Sequence, residues 1–205
     1  MTEKEKMLAG KLYDISDKEL VKEYVNSARL CKDYNDTYMT ETEKRAEILK
    51  ELVPNMGKGS GFRGPIWFDY GINITIGEGT FANYNFVVLD CAPVTIGNDV
   101  FIGPNVTLGA PVHPLLNEER RSRYKEDGTK YDLEYAKPIV IKDGCWLASS
   151  VTVCGGVTIG KNSVIGAGSV VTRDIPEGVF ACGNPCRVVR KLTEADSVYL
   201  KKELF

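Results

Sequence analysis

The chain contains a single histidine, His113, among its 205 residues, and it has no apolar run long enough to cross a bilayer. Its six cysteines include no C-x-x-C pair, so their spacing is typical of neither a disulfide framework nor a zinc site, and no metal is expected. Acidic and basic residues nearly balance at 28 and 26, which argues against nucleic acid as a partner. The charged N-terminus lacks the apolar core of a signal peptide. We therefore expect a cytoplasmic protein with reduced thiols and no membrane attachment.

Residues 1–60 have a helical pattern. Ser16 and Glu19 have the spacing of a capping box, and Thr40 with Glu43 repeats that spacing before a second predicted helix. After the first of these caps, apolar residues recur at helical spacing and predict one buried face: Val21, Tyr24, Val25 and Ala28. A glycine-rich stretch ends this helical segment.

From residue 61 to residue 190 an aliphatic or small residue recurs every six positions. These positions are Ile76, Ala82 and Val88, then Ile96, Ile102 and Leu108, then Ile141, Leu147, Val153, Ile159, Ile165 and Val171. On an α-helix a step of six residues turns the side chain by about 600°, so successive aliphatics would point in different directions. On strands, positions an even number apart share a face, and the intervening glycines and asparagines suit tight turns. The repeat therefore predicts a mainly β fold, a parallel β-helix whose coils stack their aliphatics into one core.

Two segments fall outside this repeat. Residues 109–138 are polar and charged, and a long excursion from a repeat domain is usually functional. We expect an extruded loop there, on the binding face, with His113 near its start. Residues 191–205 form a predicted C-terminal tail.

The six-residue pattern and the single histidine before an extruded loop resemble the hexapeptide-repeat acyltransferases, which fold as left-handed β-helices. Four stretches narrow the resemblance to the maltose and galactoside O-acetyltransferase branch: KLYD, DYGINITIGEGTFANYN, VTIGNDVFIGPNVTL followed by the HP of His113, and VTIGKNSVIGAGSVVTRDIPEGVFACGNPCRVVRK. The resemblance covers nearly the whole chain. It implies acetyl-CoA as the acetyl donor, a small sugar as the acceptor, and a homotrimer with each active site between neighbouring subunits.

The same resemblance implies that His113 is the catalytic base. Acetyl transfer needs a base to take the proton of the attacking hydroxyl, and it needs donors for the oxyanion that forms on the thioester carbonyl. Histidine suits the first role because its ordinary pKa of about 6.5 allows it to accept and release a proton near neutrality. Asn83 matches an active-site asparagine that holds substrate and reacting centre in register. Asn85, two positions on, is the alternative, and a turn residue of the β-helix is the structural interpretation for either.

Asp14, Asp69 and Phe81 match positions that contact the acceptor sugar in the family. Carboxylates accept hydrogen bonds from vicinal hydroxyls, so the acidic residues fit that role. Phe81 stands where the galactoside branch tends to have tyrosine, and Asp69 and Cys91 stand where that branch has serine and aspartate. These differences favour a maltose-like acceptor. The loop after His113 is also longer than the family commonly has.

For CoA, the resemblance points to Asn83 and to the C-terminal coils. Ser149 and Ala167 would present backbone groups to the pantetheine arm, and Trp146 would wall its channel. Guanidinium groups match phosphate oxygens, and the residues expected at the nucleotide phosphates are Thr172, Arg173, Arg187 and Arg190.

Three other functions compete with sugar acetylation. An acetyltransferase of the same fold that acts on an antibiotic or another small hydroxyl compound is the nearest, and the KLYD segment argues for the sugar branch. The β-helix carbonic anhydrases need three histidines for zinc, and one histidine excludes them. A non-enzymatic scaffold would be expected to have lost His113 and Asn83, and both are present.

Overall fold

Three parallel sheets form the walls of a β-helix in the computed structural model, which describes residues 1–204. The first face consists of Asn55–Met56, Ile74–Ile76, Val94–Ile96, Ile139–Ile141 and Thr158–Ile159. The second face consists of Gly61–Phe62, Phe81–Ala82, Phe101–Ile102, Trp146–Leu147, Val164–Ile165 and Val179–Cys182, with Arg187–Lys191 added antiparallel at its end. The third face consists of Ile66–Phe68, Phe86–Leu89, Thr107–Gly109, Thr152–Cys154 and Val170–Val171.

The six-residue repeat forms the core of this β-helix, as the sequence predicts. Ile76, Ile96, Ile141 and Ile159 stand level with one another on the first face. Each is at most 3% exposed. Because every coil puts its aliphatic residue at the same level, the side chains stack into one continuous apolar column on each face.

The corner between the third and first faces differs between the two halves of the β-helix. From Val88 to Ile96 the step is eight residues, whereas from Val153 to Ile159 it is six. The two additional residues in the early coils are accommodated where Asp69 and Cys91 lie. This corner is therefore wider before the extruded loop than after it.

The N-terminal segment contains three helices: α1 (Glu3–Leu8), α2 (Lys18–Asn35) and α3 (Thr42–Leu52). The predicted caps are wrong, because Asp17 caps α2 by accepting hydrogen bonds from two backbone N–H groups, and Glu41 precedes α3 without a side-chain cap. The predicted buried face of α2 is also wrong. Its buried side chains are Leu20, Ser27, Leu30, Cys31 and Tyr34, while Val21, Tyr24 and Val25 are exposed. The helix has two apolar stripes, and only contact with the β-helix decides which one is covered.

The excursion at residues 109–138 is an ordered arm. Its strands Pro111–Val112 and Leu133–Ala136 pair antiparallel, and Tyr13–Asp14 from the N-terminal segment pairs on the other side of Leu133–Ala136. Between them lie α4 (Asn117–Arg120) and a hairpin of Arg123–Tyr124 with Lys130–Tyr131.

The chain ends in short 3-10 turns at Glu194–Asp196, Val198–Leu200 and Lys202–Leu204. Residue 205 of the predicted tail lies outside the described residues. The first coil strand, Asn55–Met56, lies before the boundary predicted at residue 61. Across residues 1–204, no helix has the length and apolar character needed to cross a membrane.

Candidate active site

His113, Glu134 and Tyr13 form one row across the antiparallel arm. Tyr13 stands opposite Glu134, and the register of Val112 with Tyr135 places His113 opposite Glu134 on the other side. Nε2 of His113 lies 3.6 Å from Oε2 of Glu134, and the Tyr13 hydroxyl donates to Oε1 of the same carboxylate. Directly opposed residues on neighbouring strands share a face, so the pairing itself produces this contact. The Glu134 carboxylate therefore contacts both His113 and Tyr13 of the N-terminal segment.

Burial distinguishes the members of this row. Tyr13 is 1% exposed and Glu134 is 7% exposed. The His113 side chain is 54% exposed, so it remains accessible to a substrate. Burial, with Cys91 and Glu134 nearby, raises the pKa of Tyr13, so its hydroxyl stays protonated and serves as a donor.

Asp69 and Cys91 meet at the wide corner between the third and first faces. Sγ of Cys91 donates to Oδ2 of Asp69 over 3.4 Å. Burial raises the pKa of Asp69 to about 6; the hydrogen bond from Cys91 acts against this, and the nearby Asp90 and Glu134 carboxylates add to it. Burial likewise raises the pKa of the Cys91 thiol, which remains a neutral donor. Asp69 is therefore a carboxyl group that changes charge near neutrality.

A cavity of about 330 Å³ opens between this corner and α2. It is lined by Ile15, Leu20, Val21, Tyr24, Asp69, Tyr70, Cys91 and Glu134. The exposed apolar stripe of α2 therefore faces two carboxylates across an open space. A cavity with apolar walls and a few carboxylates at one end suits a small polyhydroxyl ligand.

Asp14 lies beside Tyr13 on the N-terminal strand that pairs with the arm, and its carboxylate already accepts hydrogen bonds. Its Oδ1 accepts from the backbone N–H and the hydroxyl of Ser16, and its Oδ2 lies 2.6 Å from Nζ of Lys125. Burial acts to raise the pKa of Asp14, but the Lys125 ammonium and the Ser16 donors outweigh it and lower that pKa. Asp14 is therefore a charged, oriented carboxylate.

The structure separates the roles of the two candidate asparagines. Asn85 adopts a left-handed φ of 59° and donates from Nδ2 to Oδ1 of Asn105 in the next coil, so it is a turn residue of the β-helix. Asn83 lies outside that ladder, and its Oδ1 accepts from the Tyr84 backbone N–H. Asn83 follows the second-face strand of Phe81, which leaves its amide at the corner between the second and third faces.

The residues expected to bind CoA cluster along the second face and that same corner. Trp146 is exposed on the second face, level with Phe101. Ser149 and Ala167, eighteen residues apart in successive coils, are exposed one above the other at the corner that also carries Asn83. Small exposed residues there leave room for a narrow chain to approach the backbone, so this surface fits a pantetheine arm.

The four residues expected at the phosphates lie near the C-terminal end of the β-helix, where the Cys186 N–H donates to the Val170 carbonyl over 2.8 Å. Thr172 and Arg173 follow Val170–Val171, the last strand of the third face, which is four strands along that face from the strand that precedes Asp69. Arg187 and Arg190 lie on the last strand of the second face. Of these two, Arg190 forms a paired contact with Asp196 at 2.6 and 2.8 Å, and Nη1 of Arg187 donates to the Cys186 carbonyl.

One chain therefore carries two halves of a site on opposite sides of the third face. Asp14, Asp69 and His113 lie at one corner, and Asn83 lies at the other. Residues 85–89 cross the face between them, a distance of roughly 15 Å at about 3.3 Å per residue. Among residues 1–204, no three His, Cys, Asp or Glu side chains are grouped so as to hold a metal ion.

Sequence reasoning did not assign Tyr13, Glu134 or Lys125. Tyr13 lies within the KLYD motif, but its role depends on a partner 121 residues away. Glu134 and Lys125 lie in the arm, where no periodic pattern indicates which side chains return to the site. Only the strand pairing identifies them.

Most of the chain is similar to known acetyltransferases in both sequence and structure. Residues 6–57 match the maltose acetyltransferase hexapeptide capping motif, and residues 138–173 match the bacterial transferase hexapeptide of six repeats. The galactoside O-acetyltransferase of Escherichia coli K12 is 40% identical over 97% of this chain and 94% of its own length. The crystal structure of a maltose O-acetyltransferase from Clostridium difficile 630 has a TM-score of 0.86 at 44% identity, covering 95% of this chain and 99% of that one. A galactoside acetyltransferase in complex with coenzyme A has a TM-score of 0.87 at 40% identity, covering 96% and 94%.

Proposed function

Because the chain belongs to the hexapeptide-repeat family of maltose and galactoside O-acetyltransferases, we propose that it transfers the acetyl group of acetyl-CoA to a hydroxyl of a sugar. The acceptor is a maltose-like or glucose-like sugar or a galactoside. The observation that carries this proposal is the row of His113, Glu134 and Tyr13, which holds an accessible imidazole against a buried carboxylate beside an open cavity.

His113 acts as the general base in this proposal. One ring nitrogen faces Glu134, and the other is available to the acceptor hydroxyl. The imidazole takes the hydroxyl proton as the oxygen bonds to the acetyl carbon, the carbon–sulfur bond breaks, and the sulfur receives the proton from His113. The Glu134 carboxylate orients the ring and offsets its positive charge while it holds the proton. The transfer is direct, without an acyl-enzyme.

The wide corner supplies the acceptor site. Asp69 and Asp14 accept hydrogen bonds from sugar hydroxyls, and the apolar stripe of α2 contacts the sugar ring. Phe81 lies on the second face, on the other side of the third face from Asp69. It therefore contacts an acceptor only if that acceptor sits between two subunits.

The second-face corner supplies the donor site. Trp146 gives the channel an apolar wall, and Ser149 and Ala167 leave the backbone accessible to the pantetheine amides. Arg187, with Arg190 and the Thr172–Arg173 pair, meets the phosphates. The solved galactoside acetyltransferase contains coenzyme A, which supports this assignment.

A homotrimer brings the two halves together. With His113 and Asn83 on opposite sides of the third face, a single chain does not present both to one substrate. Packing the third face of one subunit beside the second-face corner of the next would place His113 of one chain near Asn83 of its neighbour.

Release of free thiol from acetyl-CoA tests the proposed function. The purified protein is incubated with maltose, glucose, a thiogalactoside and chloramphenicol, with a blank that lacks acceptor. We expect release with at least one sugar, and a loss of about 10²–10⁴-fold in H113A and H113N. Thiol release with chloramphenicol and with none of the sugars would show that the acceptor is not a sugar but another class of hydroxyl compound. A variant as active as the wild type would exclude His113 as the base.

A further inference from the structure

Lys125 lies at the tip of a hairpin within the arm. The hairpin pairs Arg123–Tyr124 with Lys130–Tyr131. The Lys125 N–H donates to the Thr129 carbonyl, and its own carbonyl accepts from Gly128, which adopts a left-handed φ of 80°. The turn is therefore closed by its own backbone hydrogen bonds, and it holds Lys125 in a defined position.

This hairpin reaches back to the N-terminal segment at two points. The Ile15 N–H donates to the Asp132 carbonyl over 3.3 Å, at the base of the hairpin. At its tip, Nζ of Lys125 lies 2.6 Å from Oδ2 of Asp14, across 111 residues of sequence. The ammonium also lies 5.5 Å from the centre of the Tyr131 ring. The ammonium is thus positioned by an anion on one side and an aromatic ring on the other.

The contact with Asp14 leaves Lys125 with unused donors. An ammonium group has three N–H donors, and Asp14 takes one of them. The Lys125 side chain is 45% exposed, whereas that of Asp14 is 12% exposed, so the remaining donors face open space beside the carboxylate. A carboxylate oxygen has two lone pairs, so Oδ2 can accept a second hydrogen bond without releasing the lysine.

We propose that Lys125 is an acceptor-binding residue that, together with Asp14, recognises two adjacent hydroxyls of the sugar. One hydroxyl donates to Asp14, and the oxygen of its neighbour accepts from the Lys125 ammonium. A fixed pair of opposite charges matches a vicinal diol, because each hydroxyl is both a donor and an acceptor. This inference rests on the proposed function, since it assigns a further contact to the same acceptor.

The alternative is that Lys125 only fastens the hairpin to the N-terminal segment. A fastening role predicts a change in stability or in hairpin order, with no dependence on individual hydroxyls of the acceptor. A binding role predicts an increase in KM for the acceptor with kcat unchanged, and no change in KM for acetyl-CoA.

The test compares K125M with the wild type on every sugar that the wild type acetylates. Methionine keeps most of the aliphatic stem and removes the donors. K130M is the matched control, since Lys130 lies on the opposite strand of the same hairpin and is exposed. We expect K125M to raise KM for the acceptor about tenfold, K125R to recover part of the loss, and K130M to match the wild type.

A series of monodeoxy sugars then identifies the hydroxyl. For the acceptor that lacks the hydroxyl bound by Lys125, K125M and the wild type should have equal KM values. Equal sensitivity to K125M for every deoxy sugar, or an acceptor KM that stays unchanged or falls, would overturn the proposal.

The failure of this inference is distinguishable from failure of the proposed function. If the wild type acetylates no sugar, the proposed function fails. Calorimetric titration of maltose and glucose into the wild type and K125M, with CoA present, then measures binding without turnover. Weaker binding to K125M supports the role of Lys125, whereas equal binding or no binding to both proteins refutes it.

Discussion

The carboxylate of Glu134 lies 3.6 Å from Nε2 of His113, the only histidine in the chain. The contact arises because the strand Leu133–Ala136 is the centre of a three-stranded antiparallel sheet. The imidazole is accessible and the carboxylate is buried. The geometry therefore assigns Glu134 the task of holding the proposed base in one orientation.

We expect E134Q to lower kcat by about tenfold or more with a smaller effect on KM for either substrate, because the proposed role of Glu134 is to orient His113. The amide is close in size, so the melting temperature should change little. Y13F removes a single hydrogen bond to the same carboxylate and should have a smaller effect on kcat. Steady-state kinetics measures both, and an increase in KM without loss of kcat would contradict a positioning role.

Mixed trimers test whether each site takes residues from two chains. H113A and N83A should each be nearly inactive alone. When the two variants are coexpressed in equal amounts, random assembly pairs an intact His113 with an intact Asn83 at about a quarter of the interfaces. We expect roughly that fraction of wild-type activity per site, from a particle of about 68 kDa, three times the 22.7 kDa of the chain. A monomer in light scattering, or a mixture no more active than its parts, would rule out the shared site.

Asp69 makes stability depend on pH. The pKa of the Asp69 carboxyl rises from its ordinary value of 3.8 to about 6 in the folded protein. Between these two pH values the folded state therefore binds more protons than the unfolded state. Stability therefore falls as pH rises from about 4 to about 6 through this group. D69N removes that loss of about 2 kcal/mol, so its melting temperature relative to wild type should increase by about 5–10 °C between pH 4 and pH 7.

Thermal melts at four pH values between 4 and 7 measure this difference. D33N, at an exposed carboxylate on α2, is the matched control for the loss of one negative charge. An offset between D69N and the wild type that is the same at every pH would show that Asp69 does not titrate in this range.

Arg187 should contribute to donor binding through phosphate contacts. We expect R187M to raise KM for acetyl-CoA about tenfold, because a guanidinium pairs with phosphate oxygens through charged hydrogen bonds. The acceptor KM should stay unchanged. K18M, at the exposed start of α2, is the control for the loss of one positive charge. Steady-state kinetics at varied acetyl-CoA concentration measures the KM of each variant. An effect of R187M on the acceptor KM alone would contradict this assignment.

The stacked core should be sensitive to small cavities. Ile102 is 2% exposed and stands level with Ala82 and Leu147 in neighbouring coils. I102A should destabilise the fold by about 2–5 kcal/mol, because the neighbouring coils cannot collapse into the space. T95A, on an outward position of the first face, should cost less than about 1 kcal/mol. Denaturant unfolding curves of the two variants measure the loss in free energy of unfolding. Equal losses would show that the stacked aliphatic column does not contribute more to stability than the outward positions do.

The sequence predicted only some of the residues that form the candidate site. The resemblance named His113, Asp14 and Asp69, and the structure places these three at one corner and in the arm beside it. It did not name Glu134 or Lys125, because nothing in the local sequence of the arm indicates how its strands return to the N-terminal segment. The buried face of α2 was wrong for a related reason, since both apolar stripes fit a helix equally well.

The sequence by itself determined the β-helix and its core. A repeat of six in residues that alternate between faces leaves one arrangement in which all the aliphatics are buried, and each coil repeats the same local rule. Only the tertiary structure decided how the site is built. Tyr13, Glu134 and His113 meet through antiparallel pairing of segments more than a hundred residues apart, and Lys125 meets Asp14 through the fold of a hairpin. These contacts depend on long-range register and on which surfaces are covered, and neither is encoded in a local pattern.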